Sequence, residues 1–321
     1  MEPAAPMLLM EWTRGFLPPE WQGANGRVLV VLYRTVRTPI DTFGAEPLAC
    51  LIGPVWTCLF WGSPMVPKAS SEFWFVEPKL MGWNCNLQGD EAQQEGRYCL
   101  LYARFADQAS KAGAKAAIDA ACGFLYAYHG RNVAYMKLCE LEMSLETDEY
   151  SQSTETVENP LVLPAPRLLA PEFEIFREAA RLIGEADEPD RDRLSLSLRW
   201  FSSATHLWGP DAFLHYWIAL EALAMPDSTN IRPIGEHLAS TYQVSHDEAK
   251  KEFRVGRLYG FRGAVVHDGS HIAVPGEVLT YLAALYADVL LSVLSLPPEG
   301  WARSAWKQHG EVVDRFLEAA F

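Results

Sequence analysis

The segment Arg257-Leu-Tyr-Gly-Phe-Arg262-Gly-Ala-Val-Val-His267-Asp-Gly sets an arginine five residues before a histidine in otherwise apolar surroundings. Arginine is charged throughout the accessible pH range and histidine titrates near neutrality. Together they offer a fixed cation and a proton carrier, which is what phosphodiester chemistry uses. Two neighbouring features bear on the same chemistry. Glu221 lies among apolar residues of an upstream helical stretch and is a candidate partner for Arg262 or Arg257, orienting the arginine or only fixing the fold. Lys250, Lys251, Arg254 and Arg257 form a basic run. Lys250, Arg254 and Arg257 follow i, i+4, i+7, which on one helix is one face. That face is a candidate anion-binding surface, or a solvated surface paired with Asp247, Glu248 and Glu252.

The elements that position these residues follow from patterning. Arg27 to Arg34 is apolar and β-branched, Leu48 to Trp61 and Glu72 to Val76 are similar, and Arg97 to Phe105 is a further strand. Residues 106–128 switch to an Ala-rich helical pattern, and Val133 to Leu145 returns as a strand. The acidic, Ser/Thr-rich run after residue 146 and the prolines up to residue 171 predict a linker, first flexible and then stiff. From Glu172 the spacing predicts helices at about 172–184, 190–208, 210–225, 232–242, 246–262 and 276–296. Asp190 and Pro210-Asp211 supply favourable starts. Phe213, Trp217, Leu220 and Leu223 recur every three to four residues. The fold class expected is an α+β domain over residues 1–145, a linker over 146–171, and an all-α bundle over 172–321.

Composition excludes several functions. The net charge is −14; residues 1–160 carry 12 basic and 19 acidic side chains and residues 161–321 carry 15 and 22, so each half stands at −7. A protein that coats nucleic acid is usually basic, so any RNA contact here must be local. The six cysteines lie at positions 50, 58, 85, 99, 122 and 139 with no C-x-x-C pair, which argues for reduced thiols in a cytoplasmic protein and against a zinc ribbon. Val278 to Leu296 is the one candidate membrane span, but Asp288 at its centre favours a buried core helix. His267 and His271 stand four apart, yet Asp268-Gly-Ser reads as a turn, so no metal site is expected. No cofactor is expected either. Phosphate-loop, nucleophile-elbow and H-E-x-x-H motifs are missing.

The second half resembles the HEPN superfamily, specifically its Apea-like domains. The resemblance rests on Arg199-Trp-Phe-Ser-Ser-Ala-Thr-His-Leu-Trp, then Phe213-Leu-His-Tyr-Trp-Ile-Ala-Leu-Glu-Ala-Leu, then Leu258-Tyr-Gly-Phe-Arg-Gly-Ala-Val-Val-His-Asp-Gly. It covers roughly residues 172–296. It implies a HEPN-like bundle that works as a metal-independent endoribonuclease, with Arg262 and His267 catalytic where two copies meet in a homodimer. His267 would take the proton of a ribose 2′-OH or protonate the leaving 5′-oxygen, and Arg262 would stabilise the charge developing on phosphorus. The product would be a 2′,3′-cyclic phosphate. Glu221, Arg257, Tyr259 and Asp268 would support the site. The resemblance also implies an RNA target such as tRNA, a role in prokaryotic defence or stress, and a regulatory partner or trigger at the first domain. Two positions depart from the pattern: Gly263 replaces the polar residue that often follows the arginine, and Gly269 replaces a tyrosine that related proteins carry for nucleotide modification. The alternative is a non-catalytic dimerisation module that binds RNA or nucleotides.

Geometry adds a condition. Five residues turn an ideal helix by about 500°, leaving Arg262 and His267 about 140° apart. Either the helix is interrupted near Gly263, or the two groups converge across a two-fold interface.

Overall fold

The computed structural model describes residues 13–36, 48–62, 96–129, 134–147, 149–153, 170–226, 228–268 and 273–319. The chain divides into two compact units, residues 1–118 with 132–170, and residues 119–131 with 171–321.

The first unit holds a six-stranded sheet with order β2-β3-β4-β1-β5-β6. Its strands are β1 (Arg27–Val36), β2 (Leu48–Ile52), β3 (Val55–Gly62), β4 (Gly96–Phe105), β5 (Ala134–Ser144) and β6 (Tyr150–Ser153). Every pairing is antiparallel. Consecutive residues Val28 to Leu32 of β1 are all buried, so this central strand is covered on both faces. The stretch 48–61 is a hairpin, β2 and β3 turning at Gly53, whose φ of 56° suits glycine. On β5, Glu142 lies 2.8 Å from Arg27 and 2.6 Å from Lys111. Burial pushes its pKa up, but the two cations together hold it below the usual carboxylate range. Burial also pushes the Cys58 thiol up to about 12, and Cys50, Cys58, Cys99 and Cys122 form no disulfide. The proposed strand at Glu72 to Val76 lies outside the described residues.

Two boundaries differ from the sequence expectation. The linker begins later than residue 146, because Tyr150–Ser153 pairs with β5 through its backbone despite its polar composition. The first domain also does not keep all of residues 1–145. Helix α1 (Gln108–His129) gives its residues from 119 onward to the second unit. Gly123 permits this: a Cβ built there would stand 1.8 Å from the Leu198 carbonyl oxygen, so only glycine fits the close approach. Phe124 and Tyr128 then pack on Phe176, with ring centroids 5.1 Å away in each pair.

The second unit continues with α2 (Ala170–Glu185), α3 (Glu188–Thr205), α4 (Gly209–Ala224), α5 (Arg232–Tyr242), α6 (His246–Glu252), α7 (Val255–Asp268), α8 (Gly276–Val293) and α9 (Trp301–Ala319). The expected helix 190–208 starts earlier, capped by Asp187, whose carboxylate accepts from the Asp190 amide at 3.1 Å. The expected helix 246–262 is two helices. A capping box of Ser245 and Glu248 starts α6, and Arg254, with φ 55°, turns the chain into α7. Helix α9 was not expected at all.

The candidate membrane span is α8, whose apolar window is 67% buried inside the bundle. Its Asp288 is fully buried. The Asp288 carboxylate accepts from the Trp301 amide at 3.3 Å, from the Ala302 amide at 2.7 Å, and from the Tyr242 hydroxyl. It therefore caps α9 from a neighbouring helix. Burial raises its pKa, against those donors, which lower it.

Asp288→Ala leaves two buried donors, the Tyr242 hydroxyl and the Ala302 amide, and the part-buried Trp301 amide without their acceptor, so the protein is expected to lose about 3 kcal/mol or more in denaturant unfolding. A loss below about 1 kcal/mol contradicts the capping role. Burial also lowers the pKa of His215 and His237. The unfolded chain then binds protons more readily, so stability falls as pH drops below about 6.5. Replacing both histidines with glutamine is expected to flatten that acid-side loss in melting curves.

Candidate active site

Helix α7 carries two stripes. Val255, Leu258, Phe261 and Val265 are buried, and Phe261 meets Phe213 and Phe316 edge-on at 4.8 Å each. Beside that stripe run Tyr259, Arg262 and Val266, with Tyr259 38% and Val266 49% exposed. The buried stripe fixes the helix, and the fixed helix sets where Arg262 leaves it.

Arg262 faces α4. Its Nη2 lies 3.6 Å from Glu221 Oε2, and the arginine side chain is 30% exposed. Glu221 is held in turn by Trp217, whose Nε1 donates to Glu221 Oε1 at 2.8 Å. Trp217 is fully buried and so cannot turn away. The relay orients Arg262 without engaging it fully, because 3.6 Å is beyond a good hydrogen bond. Glu221 thus pairs with Arg262, one of the two partners expected for it. Tyr259 lies over the same region, its ring 6.2 Å from that of Trp217.

These groups open onto a cavity of about 620 Å³ lined by Arg193, Leu196, Glu221, Thr229, Tyr259 and Arg262 among others. Arg193, from α3, escaped the sequence reading. Its Nη2 pairs with Asp190 at 2.9 Å, an ordinary i, i+3 pair that gives no signal in sequence. The Nε atoms of Arg193 and Arg262 are both buried without a hydrogen-bond partner. Both arginine side chains stay partly exposed, at 23% and 30%, so their terminal groups can meet an oxyanion.

The helix continues unbroken past Gly263 to Asp268, which removes the first of the two alternatives, an interruption at Gly263. The break falls instead at Arg254. A Cβ at Gly263 would meet nothing within 4 Å. Within one chain, His267 therefore leaves α7 about 140° around the axis from Arg262. His267 and Asp268 belong to α7 by backbone; their side chains, and all of Gly269 and His271, lie outside the described set.

The basic run gathers elsewhere. Lys250, Lys251, Arg254 and Arg257 line a separate cavity of about 510 Å³ with Asp247 and Gly256. The single helical face expected for Lys250, Arg254 and Arg257 does not exist, because the left-handed turn at Arg254 separates them. Arg254 is held by both Asp314 oxygens, at 2.7 and 3.0 Å, and lies over the Trp306 ring. Arg257 is 3.7 Å from Glu318 and lines this second cavity, not the one beside Arg262. Among the described residues no cluster of three His, Cys, Asp or Glu could hold a metal.

No family model matches the chain, and neither the curated proteins nor the solved structures include a match to it.

Gly263→Ala adds a methyl in open space within a helix, so it is expected to stabilise the isolated protein by about 0.5–1 kcal/mol. A thermal melt measures this, and destabilisation would show that this face is packed against something.

Proposed function

We propose that the second unit is a HEPN-like bundle of the Apea-like kind and a metal-independent endoribonuclease. The observation that carries the reading is the relay from Trp217 through Glu221 to Arg262, which aims a partly free guanidinium into a cavity. In the proposed reaction His267 takes the 2′-OH proton and the 2′-oxygen bonds to phosphorus. The phosphorus–5′-oxygen bond breaks, and that oxygen is protonated as it leaves. Arg262 stabilises the charge on the phosphoryl oxygens through its donor fork. The products are a 2′,3′-cyclic phosphate and a 5′-OH end.

The continuous α7 favours a homodimer, in which His267 of one copy meets Arg262 of the other. Three of the five large apolar side chains exposed among the described residues, Leu196, Tyr259 and Val266, lie around Arg262. Of these, Val266, 49% exposed and outside the cavity lining, is the side chain that a second copy would cover. Lys250 and Lys251 would meet phosphates further along the strand. The first unit would receive a trigger or regulatory partner, and the setting would be the cytoplasm, acting on tRNA or other transcripts in defence or stress. A second reading, a non-catalytic binding and dimerisation module, draws on Gly263, which leaves no polar side chain next to Arg262.

Purified protein incubated with total RNA in EDTA is expected to yield cyclic-phosphate ends, and Arg262→Ala and His267→Ala are each expected to lose about 100-fold or more in rate. Absence of products from the wild type, or equal cutting by both variants, defeats the nuclease reading.

A further inference from the structure

We propose that the cavity beside Arg262 binds one nucleotide unit of a single strand. Arg193 and Arg262 hold its phosphate and Tyr259 carries its base. The identity of the strand as RNA rests on the ribonuclease reading; the site itself rests on the following geometry.

The donor accounting comes first. Arg193 and Arg262 reach the cavity from α3 and α7, and each has its Nη2 near a carboxylate while its buried Nε has no acceptor. The Nε atoms are closed off by their surroundings, so it is the terminal Nη groups of the two arginines that can meet phosphate oxygens. Arg254 shows what a purely structural arginine looks like here: its Nε and Nη2 are both engaged by Asp314, at 2.7 and 3.0 Å. The two cavity arginines lack that closure.

Charge narrows the ligand. Each cavity arginine stands beside one carboxylate, Arg193 beside Asp190 and Arg262 beside Glu221, so the two pairs sum to zero. A phosphodiester linkage adds a single negative charge, whereas a terminal phosphate or a free phosphate ion adds more than one near neutral pH and meets more repulsion from the two carboxylates.

The walls narrow it again. Tyr259 and Leu196, 38% and 47% exposed, face the same cavity. An exposed aromatic ring in the wall of a cavity offers a face on which a planar base can stack. The Thr229 hydroxyl also lines the cavity and can donate or accept toward a ribose hydroxyl. A volume of about 620 Å³ suits a ligand of one nucleotide and is too small for a duplex.

The test uses a labelled short 2′-O-methyl oligoribonucleotide, which cannot be cut by 2′-OH attack, and a strand of equal length without bases. Fluorescence anisotropy on the full chain is expected to show Arg193→Gln and Tyr259→Ala each weakening the normal strand about tenfold. Tyr259→Phe is expected to stay within about twofold, because stacking needs the ring alone. The strand without bases is expected to bind weakly and to ignore Tyr259→Ala. Circular dichroism and melting confirm that each variant folds, and Arg193→Lys provides a second variant that keeps charge but loses the fork. In cleavage assays Arg193→Gln is expected to raise KM more than it lowers kcat. Folded variants that bind and cut like the wild type overturn the nucleotide site while leaving the nuclease reading intact. Wild-type binding with the expected variant losses but no cleavage overturns the nuclease reading and leaves the site. Inorganic phosphate displacing the strand at equal concentration overturns the preference for a phosphodiester.

Discussion

The buried carboxylate of Asp288 is the constraint on which the second unit depends. Taking an ionised carboxylate out of water is expensive, and it is tolerated only when donors surround it. Here the donors come from α5, through Tyr242, and from the first turn of α9, through the Trp301 and Ala302 amides. One side chain of α8 thus joins three helices and fixes where α9 begins. Helix α9 then fixes α7. Asp314 holds Arg254 at the turn that starts α7, Phe316 packs on Phe261, and Tyr281 of α8 bonds the Phe253 carbonyl while stacking near Trp306. Arg262 is two turns from that fixed start. The start of the helix that carries it is therefore set by a group far from it in sequence, and its own pair with Glu221 sets only the direction of the side chain.

The chain uses one residue type in two ways, and the difference lies in distance and closure. Arg254 and Asp314 form a two-point pair at 2.7 and 3.0 Å, which saturates both partners and pins a backbone conformation that L-residues rarely adopt. Arg262 and Glu221 stand at 3.6 Å, and the second oxygen of Glu221 is taken by Trp217. The longer pair supplies attraction without consuming the fork. In a chain of net charge −14, such a part-engaged cation keeps its field while remaining able to change partner. This is a requirement for any group that binds an anion transiently, whether or not a bond is then broken.

The sequence made some of this legible. The β-branched run at Val28 to Leu32 and the apolar spacing of Phe213, Trp217, Leu220 and Leu223 correspond to buried positions, because hydrophobic period is a local property. The pairing of Glu221 with Arg262 was also within reach, as an acid among apolar neighbours needs a cation. What escaped was set by tertiary partners. The break at Arg254 has neither Gly nor Pro and is held by Asp314, sixty positions away. Helix α9 has its amide cap from α8, so no Ser, Thr, Asp or Asn marks its start; Pro297-Pro298 before Trp301 was the available signal. Edge strand β6 is joined through backbone groups that any sequence offers. Arg193 looked like one more surface pair with Asp190, and only the packing of α3 beside α4 brings it to the cavity that Arg262 lines.

The unbroken α7 is also the sharpest constraint on mechanism. A helix interrupted at Gly263 would have let one chain assemble both groups. With the helix intact, five residues advance the chain by about 7.5 Å and turn it by about 140° net. A single scissile phosphate in contact with Arg262 then lies off the face from which His267 departs. In the proposed reaction the pair would therefore act only with a second copy of α7, each arginine meeting the histidine of its neighbour. Val266 lies one turn beyond Arg262 and would be covered by that copy, whereas Tyr259 would stay open to the cavity. Such a contact would have to reach past the stripe of Arg262 to the face from which His267 departs, so it would span more of α7 than that stripe alone.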